Sequence, residues 1–334
     1  MTTTPSPLPR TAVVGAGGVG CYFGAMLAKA GAEVTLIGRA APMAAIAANG
    51  LQIVGKTNDR VRSMATATAL EAARGARLVL LCTKTTDTVA TAQALASIVD
   101  EDADIVSLQN GVDNVERIFD ATGRRAIPAA VYVAVEVSAP GVLAHHGRGD
   151  LAIGAFRFDP SQPTADAQTE RVARIAAAFE SAGVPCRQSA DIRVELWTKL
   201  VMNCAVNAIS ALGQAPYGRM ATYPVIREMI AGLANETVAV ARAHGIPLPP
   251  DDFVAAAFKL IDSMPGQYAS TTQDIRRGRP TEIDALNGHV AALAERHGVD
   301  APLNRWLAAL VRLRESGAAD GQPAHAGAAD PEPR

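Results

Sequence analysis

Apolar and polar positions follow two different rhythms along this chain. In the first half, short apolar runs of strand length recur: "AVV" ahead of a glycine turn, then "AEVTLIGR", "ARLVLLCTK" and "ADIVSLQNG". Helix-like stretches separate them, "VGCYFGAMLAKAG" after the first and "TTDTVATAQALASIV" between the last two. Strand-length runs alternating with helices predict a doubly wound parallel sheet. "RRAIPAAVYVAVEVSAPGVLAHHGRGDLAIGAF" predicts several further strands, punctuated by Gly/Pro turns, that close the same sheet.

The rhythm changes near Phe158. "DPSQPTADAQ" reads as a linker or loop, and "TERVARIAAAFESAG" as an amphipathic helix that still covers the first domain. From Asp191 onward only helical periodicity remains. The predicted architecture is α/β: a flexible lead over residues 1–10, a Rossmann-type doubly wound domain over 11–188, and an all-helical domain over 189–316. The Ala/Gly/Pro-rich residues 317–334 show no periodic apolar face, which predicts a disordered tail.

One helical stretch stands apart. "TKLVMNCAVNAISALG", residues 198–213, is apolar on nearly every side, yet Lys199, Asn203 and Asn207 recur every fourth residue and Ser210 continues the row. At about 100° per residue these four share one stripe. A helix apolar all round is buried, and buried polar groups need partners. Either the stripe faces a substrate, or the lysine reaches the surface while the asparagines bond neighbouring helices in the core.

Composition narrows the classes. A chain of 334 residues with 49% hydrophobic positions is long enough for two compact domains. A net charge of −2 and only 4% aromatic residues argue against a nucleic-acid partner. The absence of an apolar signal core and of any long apolar run argues against a membrane partner and for a cytoplasmic protein. Four scattered cysteines without a CxxC pair read as small buried thiols in a reducing compartment. His145 and His146 read as structural or surface residues, and no HxH or HExxH spacing exists, so no metal is expected. "RRGR", residues 276–279, reads as a solvated helix end.

Gly15, Gly17 and Gly20 fit G-x-G-x-x-G, with Gly18 and Val19 in the same loop, and they follow a strand and open a helix. In that context Gly15 permits the tight turn, Gly17 lets a pyrophosphate approach the backbone, and Gly20 allows close helix–strand packing. The end of the second strand decides between cofactors. An acid there binds the ribose hydroxyls of NAD, but this chain has Arg39. A guanidinium can grip a 2′-phosphate, and Lys84 at another strand end adds a second positive charge, so the pair favours NADP.

Together "GAGGVG", "CTK", "LQNGVDN", "PGVLAHHGRGDLAIG", "LWTKLVMNCAVNAISAL" and "STTQDIRRGRPTEIDALNG" resemble the ketopantoate reductases (2-dehydropantoate 2-reductases) of the 6-phosphogluconate-dehydrogenase-like group, over about residues 11–315. The resemblance implies NADPH-dependent reduction of 2-dehydropantoate to (R)-pantoate, on the route to pantothenate and coenzyme A. It implies that Lys199 is the general acid, that Asn203, Asn207 and Ser270 bind the substrate, and that Glu282 bonds the substrate and helps position the lysine. Asn110 would line the nicotinamide side and contact the substrate as well, and Arg39 and Lys84 would serve the cofactor phosphate. In that family the helical domain closes over the Rossmann domain. A homodimer through the helical domain is an expectation by analogy.

One departure is visible: many members carry an apolar pair after the substrate-motif serine, where this chain has Thr271 and Thr272. That bears on which 2-oxo acid is the substrate and leaves the reaction class unchanged. The rival readings are the same chemistry on another 2-oxo acid, and a non-catalytic NADP-binding protein.

Overall fold

The computed structural model describes residues 8–158 and 166–319. The chain opens with β1 (Thr11–Val14), α1 (Gly18–Lys29), β2 (Val34–Ile37) and α2 (Ala40–Asn49). Three short strands follow, β3 (Leu51–Gly55), β4 (Asp59–Val61) and β5 (Met64–Ala67). Next come β6 (Leu78–Leu81), α3 (Thr88–Ala96), β7 (Asp104–Ser107) and α4 (Asn114–Thr122). A long hairpin of β8 (Ile127–Ala139) and β9 (Val142–Ile153) leads to α5 (Asp166–Ser181) and β10 (Cys186–Gln188).

The remaining elements are helical: α6 (Ile192–Gly213), α7 (Tyr217–Met220), α8 (Pro224–Ala243), α9 (Phe253–Ser263), α10 (Ser270–Arg276), α11 (Asn287–His297) and α12 (Pro302–Ala319). The chain divides into two compact units between Leu196 and Trp197, a point inside α6.

The first unit is built on one sheet with strand order β4-β3-β9-β8-β7-β6-β1-β2-β5, and β10 lies beside β9. Within it, β5-β2-β1-β6-β7-β8 are parallel neighbours in the order of a doubly wound nucleotide-binding sheet. The sheet is mixed rather than purely parallel, because β8 and β9 pair antiparallel, as do β3 and β4. The several strands expected over 124–156 are a single bulged hairpin. The central strands read as continuous apolar runs because both faces are covered. Val13, Leu36, Leu80, Val106 and Ile127 share a core with Phe23 and Leu27 of α1 and Phe179 of α5.

The second unit contains only helices among its described residues. Its ends are capped by identifiable groups. Asp252 accepts the Ala255 N–H at 2.8 Å at the start of α9. Glu236 of α8 accepts the N–H groups of Leu303 and Asn304 at 3.0 Å each, which satisfies the first turn of α12 behind Pro302. The same Glu236 accepts from the Asn304 side chain at 2.8 Å, and Asn287 of α11 donates to Asn304 at 3.0 Å and to the Cys204 carbonyl of α6 at 3.1 Å. Four helices are thereby tied by one buried polar chain.

Helix α12 runs to Ala319, so residues 317–319 are helical rather than part of a tail. The rest of the expected tail, residues 320–334, lies outside the described residues, as do 1–7 of the lead and 159–165 of the expected linker. All four cysteines are free. Burial pushes the Cys21 and Cys186 thiols up to about 12 and raises those of Cys82 and Cys204 as well. Among the described residues no helix is long and apolar enough to cross a membrane, and no group of three potential ligands could hold a metal.

Candidate functional site

In the first unit, the glycine loop sits at the C-terminal edge of the sheet. Gly15 and Ala16 donate their N–H groups to the Ile37 carbonyl at 3.0 and 3.1 Å, which ties the loop to the end of β2. Gly15 has φ of +100°, a left-handed conformation that favours glycine, and a Cβ there would come within 2.6 Å of the Cys82 backbone after β6. A Cβ on Gly20 would meet the Gly15 carbonyl. Gly15 and Gly20 are thus demanded by packing between α1, β1 and β6.

Gly17 differs. It is exposed, and nothing lies within 4 Å of where its Cβ would stand. It occupies the N-cap of α1 with no side-chain cap, and no acid sits in the first turn. The N–H groups of Gly18, Val19 and Gly20 have no carbonyl one turn back inside the helix. A positive helix terminus with open space above it and no competing carboxylate fits a pyrophosphate.

The neighbouring strand ends carry the expected cations. Gly38, after β2, packs so tightly on Ala16 that a Cβ would approach it to 2.9 Å, and Arg39 follows as the N-cap of α2. Arg39 is exposed and makes no ion pair among the described residues. Lys84 is half-buried after β6, at the start of the short turn Thr85–Asp87. Asn110 is half-buried after β7, and its carbonyl accepts from Thr85 Oγ1 at 2.8 Å and from Asn114 Nδ2 at 2.6 Å. Arg39, Gly15, Gly17, Lys84 and Asn110, on loops, and Gly18, Val19 and Gly20, in the first turn of α1, therefore lie along one sheet edge, the edge at which α/β proteins take ligands.

In the second unit, α6 carries the polar stripe. Lys199 is half-buried, and burial lowers its ammonium pKa to about 8, against the opposing pull of the Glu282 carboxylate. Asn203 is half-buried and Asn207 is only 3% exposed, yet neither side-chain amide bonds another protein group among the described residues. That is uncommon for a buried amide. Glu282, half-buried, precedes the short turn Ile283–Ala285, and Ser270 opens α10 exposed to solvent.

The fourth stripe residue behaves differently. Ser210 is fully buried, donates to the Ala215 carbonyl at 2.8 Å, and lies 2.8 Å from Thr272 Oγ1; it also accepts the Ala269 N–H at 3.3 Å. Ser210 is a structural bolt between α6 and α10. Thr272, which sequence reasoning tied to substrate choice, is that bolt's partner in the core.

His145 is buried, with Nδ1 3.0 Å from Thr57 Oγ1 and Nε2 2.6 Å from the Arg148 carbonyl, so it braces β9. Sequence reasoning missed Asn287, whose bond to the Cys204 carbonyl supports the middle of α6. Its signal was a lone amide inside the apolar run "DALNGHVAAL".

Comparison with known proteins bears on both units. The family model described as "Ketopantoate reductase PanE/ApbA" matches residues 11–157, and its C-terminal counterpart matches 191–315. A 2-dehydropantoate 2-reductase from Pyrococcus horikoshii is 32% identical over 308 residues, covering 91% of this chain and 97% of that protein. The crystal structure of a PanE/ApbA family ketopantoate reductase from Ralstonia eutropha JMP134 is similar with a TM-score of 0.84 at 40% identity, covering 93% of this chain and 99% of the other. A D-mandelate dehydrogenase solved with NADH and anilino(oxo)acetate shares the fold, with a TM-score of 0.84 at 23% identity over 93% of this chain and 99% of its own.

Proposed function

We propose a function from one premise: the chain belongs to the ketopantoate reductase family. On that premise it reduces 2-dehydropantoate to (R)-pantoate with NADPH, the step that feeds pantothenate and coenzyme A synthesis. One observation carries the reading. A single face of α6 offers an ammonium with its pKa lowered to about 8, followed by two amides that no other protein group occupies among the described residues.

Bound NADPH supplies the hydride that the carbonyl carbon receives. The chain's own residues do the rest. The α1 terminus and Gly17 take the pyrophosphate, Arg39 and Lys84 take the 2′-phosphate, and Asn110 borders the nicotinamide. As the C=O bond of the 2-oxo acid becomes C–H and C–O⁻, the Lys199 ammonium stabilises the oxygen's charge and then gives it a proton. Asn203, Asn207 and Ser270 bind the carboxylate and hydroxyl of the substrate. Glu282 directs the ammonium and keeps it protonated near neutrality.

The four free, buried cysteines suit a reducing compartment, and we place the enzyme in the cytoplasm. We also assign it a homodimeric assembly, supported by the exposed apolar stripe Trp306, Leu310 and Leu313 on α12. Light scattering at twice the chain mass of 34.6 kDa is the expected result.

A panel of 2-oxo acids followed by NADPH absorbance tests the activity. The expected outcome is the highest kcat/KM for 2-dehydropantoate. Faster turnover of another 2-oxo acid would displace the substrate assignment, and cofactor binding without any turnover would displace the catalytic one.

A further inference from the structure

The first unit holds a buried polar chain that the reaction itself does not use. Ser107 Oγ, at the end of β7, donates to Gln109 Oε1 at 3.0 Å. The Gln109 amide nitrogen donates to Thr88 Oγ1 at 2.8 Å and to the Thr83 carbonyl at 3.1 Å. Thr88 Oγ1 donates onward to Asn114 Oδ1 at 3.0 Å, and Asn114 Nδ2 donates to the Asn110 carbonyl at 2.6 Å. Ser107, Thr88, Gln109 and Asn114 are each 4% exposed or less.

The donors and acceptors run in one direction, and the backbone carbonyls at its ends allow no reversal. The Thr83 and Asn110 carbonyls can only accept, so the amide nitrogens of Gln109 and Asn114 face them, and Thr88 accepts from Gln109 and gives its one proton to Asn114. The two amide orientations are therefore fixed by the chain itself, and aligned bonds in a dry interior reinforce one another. Its endpoints are the informative part. Gln109 grips the backbone of Thr83, next to Lys84, and Asn114 grips the backbone of Asn110. Those are the two residues assigned above to the cofactor, on loops that leave different strands.

We propose that Gln109 is a positioning residue for cofactor binding: through Thr88 and Asn114 its amide locks the loop bearing Lys84 to the loop bearing Asn110. The proposal rests on the cofactor reading given above. Apolar packing cannot replace this lock, because an apolar side chain of similar size leaves the Thr83 carbonyl and the Thr88 hydroxyl without their donor.

The test compares Gln109→Leu, Thr88→Val and the conservative Thr88→Ser in the full-length protein. Titration of NADPH, KM for NADPH and KM for the 2-oxo acid are measured alongside Tm. Thr88→Val and Gln109→Leu should weaken NADPH binding by about 10–100-fold, the effect of one or two lost buried bonds. The KM for the 2-oxo acid should stay within about threefold, and Thr88→Ser should restore binding. Hydrogen exchange should show residues 83–85 and 110–112 losing protection together.

Variants with a lowered Tm that bind NADPH as the wild type does would overturn the proposal, since the chain would then be only structural. If both apolar variants fail to fold, Ser107→Ala, which removes only the first donor, carries the decision by the same binding measurement. A wild-type protein without affinity for either nicotinamide cofactor would overturn the cofactor reading as well, so the two failures are distinguishable.

Discussion

Glu282 opposes the effect of burial on Lys199: the protein interior lowers the ammonium's pKa to about 8, and the carboxylate holds it from falling further. A lysine so placed is still charged at neutral pH but gives up its proton far more readily than an exposed one.

Replacing Lys199 with alanine should lower turnover by about 10²–10⁴, the range for a lost acid–base group. Steady-state kinetics on folded variant checks this, and near-normal turnover removes Lys199 from the chemistry.

The wild-type reduction rate should decline as pH rises through about 8, because the acid must be protonated. In Glu282→Gln the opposing carboxylate charge is gone, the lysine pKa drops, and the decline should begin at lower pH. An unshifted or upward-shifted limb would contradict the pairing.

Stability should move the opposite way to activity. The folded lysine holds its proton only to about 8, whereas the unfolded chain holds it to the ordinary 10.5, so between those values this group's contribution to stability rises with pH. Below that window the full cost of a buried charge is present. Lys199→Met should therefore raise Tm at pH 7, and the gain should shrink toward pH 10. Thermal unfolding across pH reads both.

Cofactor choice should turn on Arg39. Arg39→Asp removes a charge-assisted bond to a 2′-phosphate and supplies a carboxylate to which ribose hydroxyls donate, so NADPH affinity should fall by about 10–100-fold while NADH affinity rises. Equal affinities before and after would show that the phosphate is held elsewhere.

Thr272→Val should cost about 1–3 kcal/mol of stability, because it removes the buried Ser210 hydroxyl's side-chain partner on α10. The KM for the 2-oxo acid should change by less than about twofold. A change in substrate preference would return Thr272 to the specificity role suggested by sequence.

The parallel core of the sheet was legible because its strands are unbroken apolar runs, and the glycine loop because its spacing reports a backbone requirement. The strands β3, β4, β5 and β10 were not: "LQIVG", "DRV", "MATA" and "CRQ" are short and carry polar residues, and β3, β5 and β10 pair with strands distant in sequence. The α6 stripe was visible through its fourfold spacing, but spacing cannot tell a ligand-facing amide from a core bolt. Asn207 and Ser210 share the stripe and are nearly equally buried, and only the bonds that Ser210 makes to Ala215 and Thr272 separate the two. Gln109 escaped for a related reason, since its partners Thr83 and Thr88 lie on a stretch of chain distant in sequence.

The raised thiol pKa values have a practical outcome. With all four cysteine thiols held in their protonated, poorly nucleophilic form, maleimides find no ready target on the folded chain. A single cysteine introduced at an exposed position such as Tyr223 would then be the preferred attachment point for a dye or spin label. Distance measurements during turnover become feasible without first stripping the protein of its own sulfhydryls.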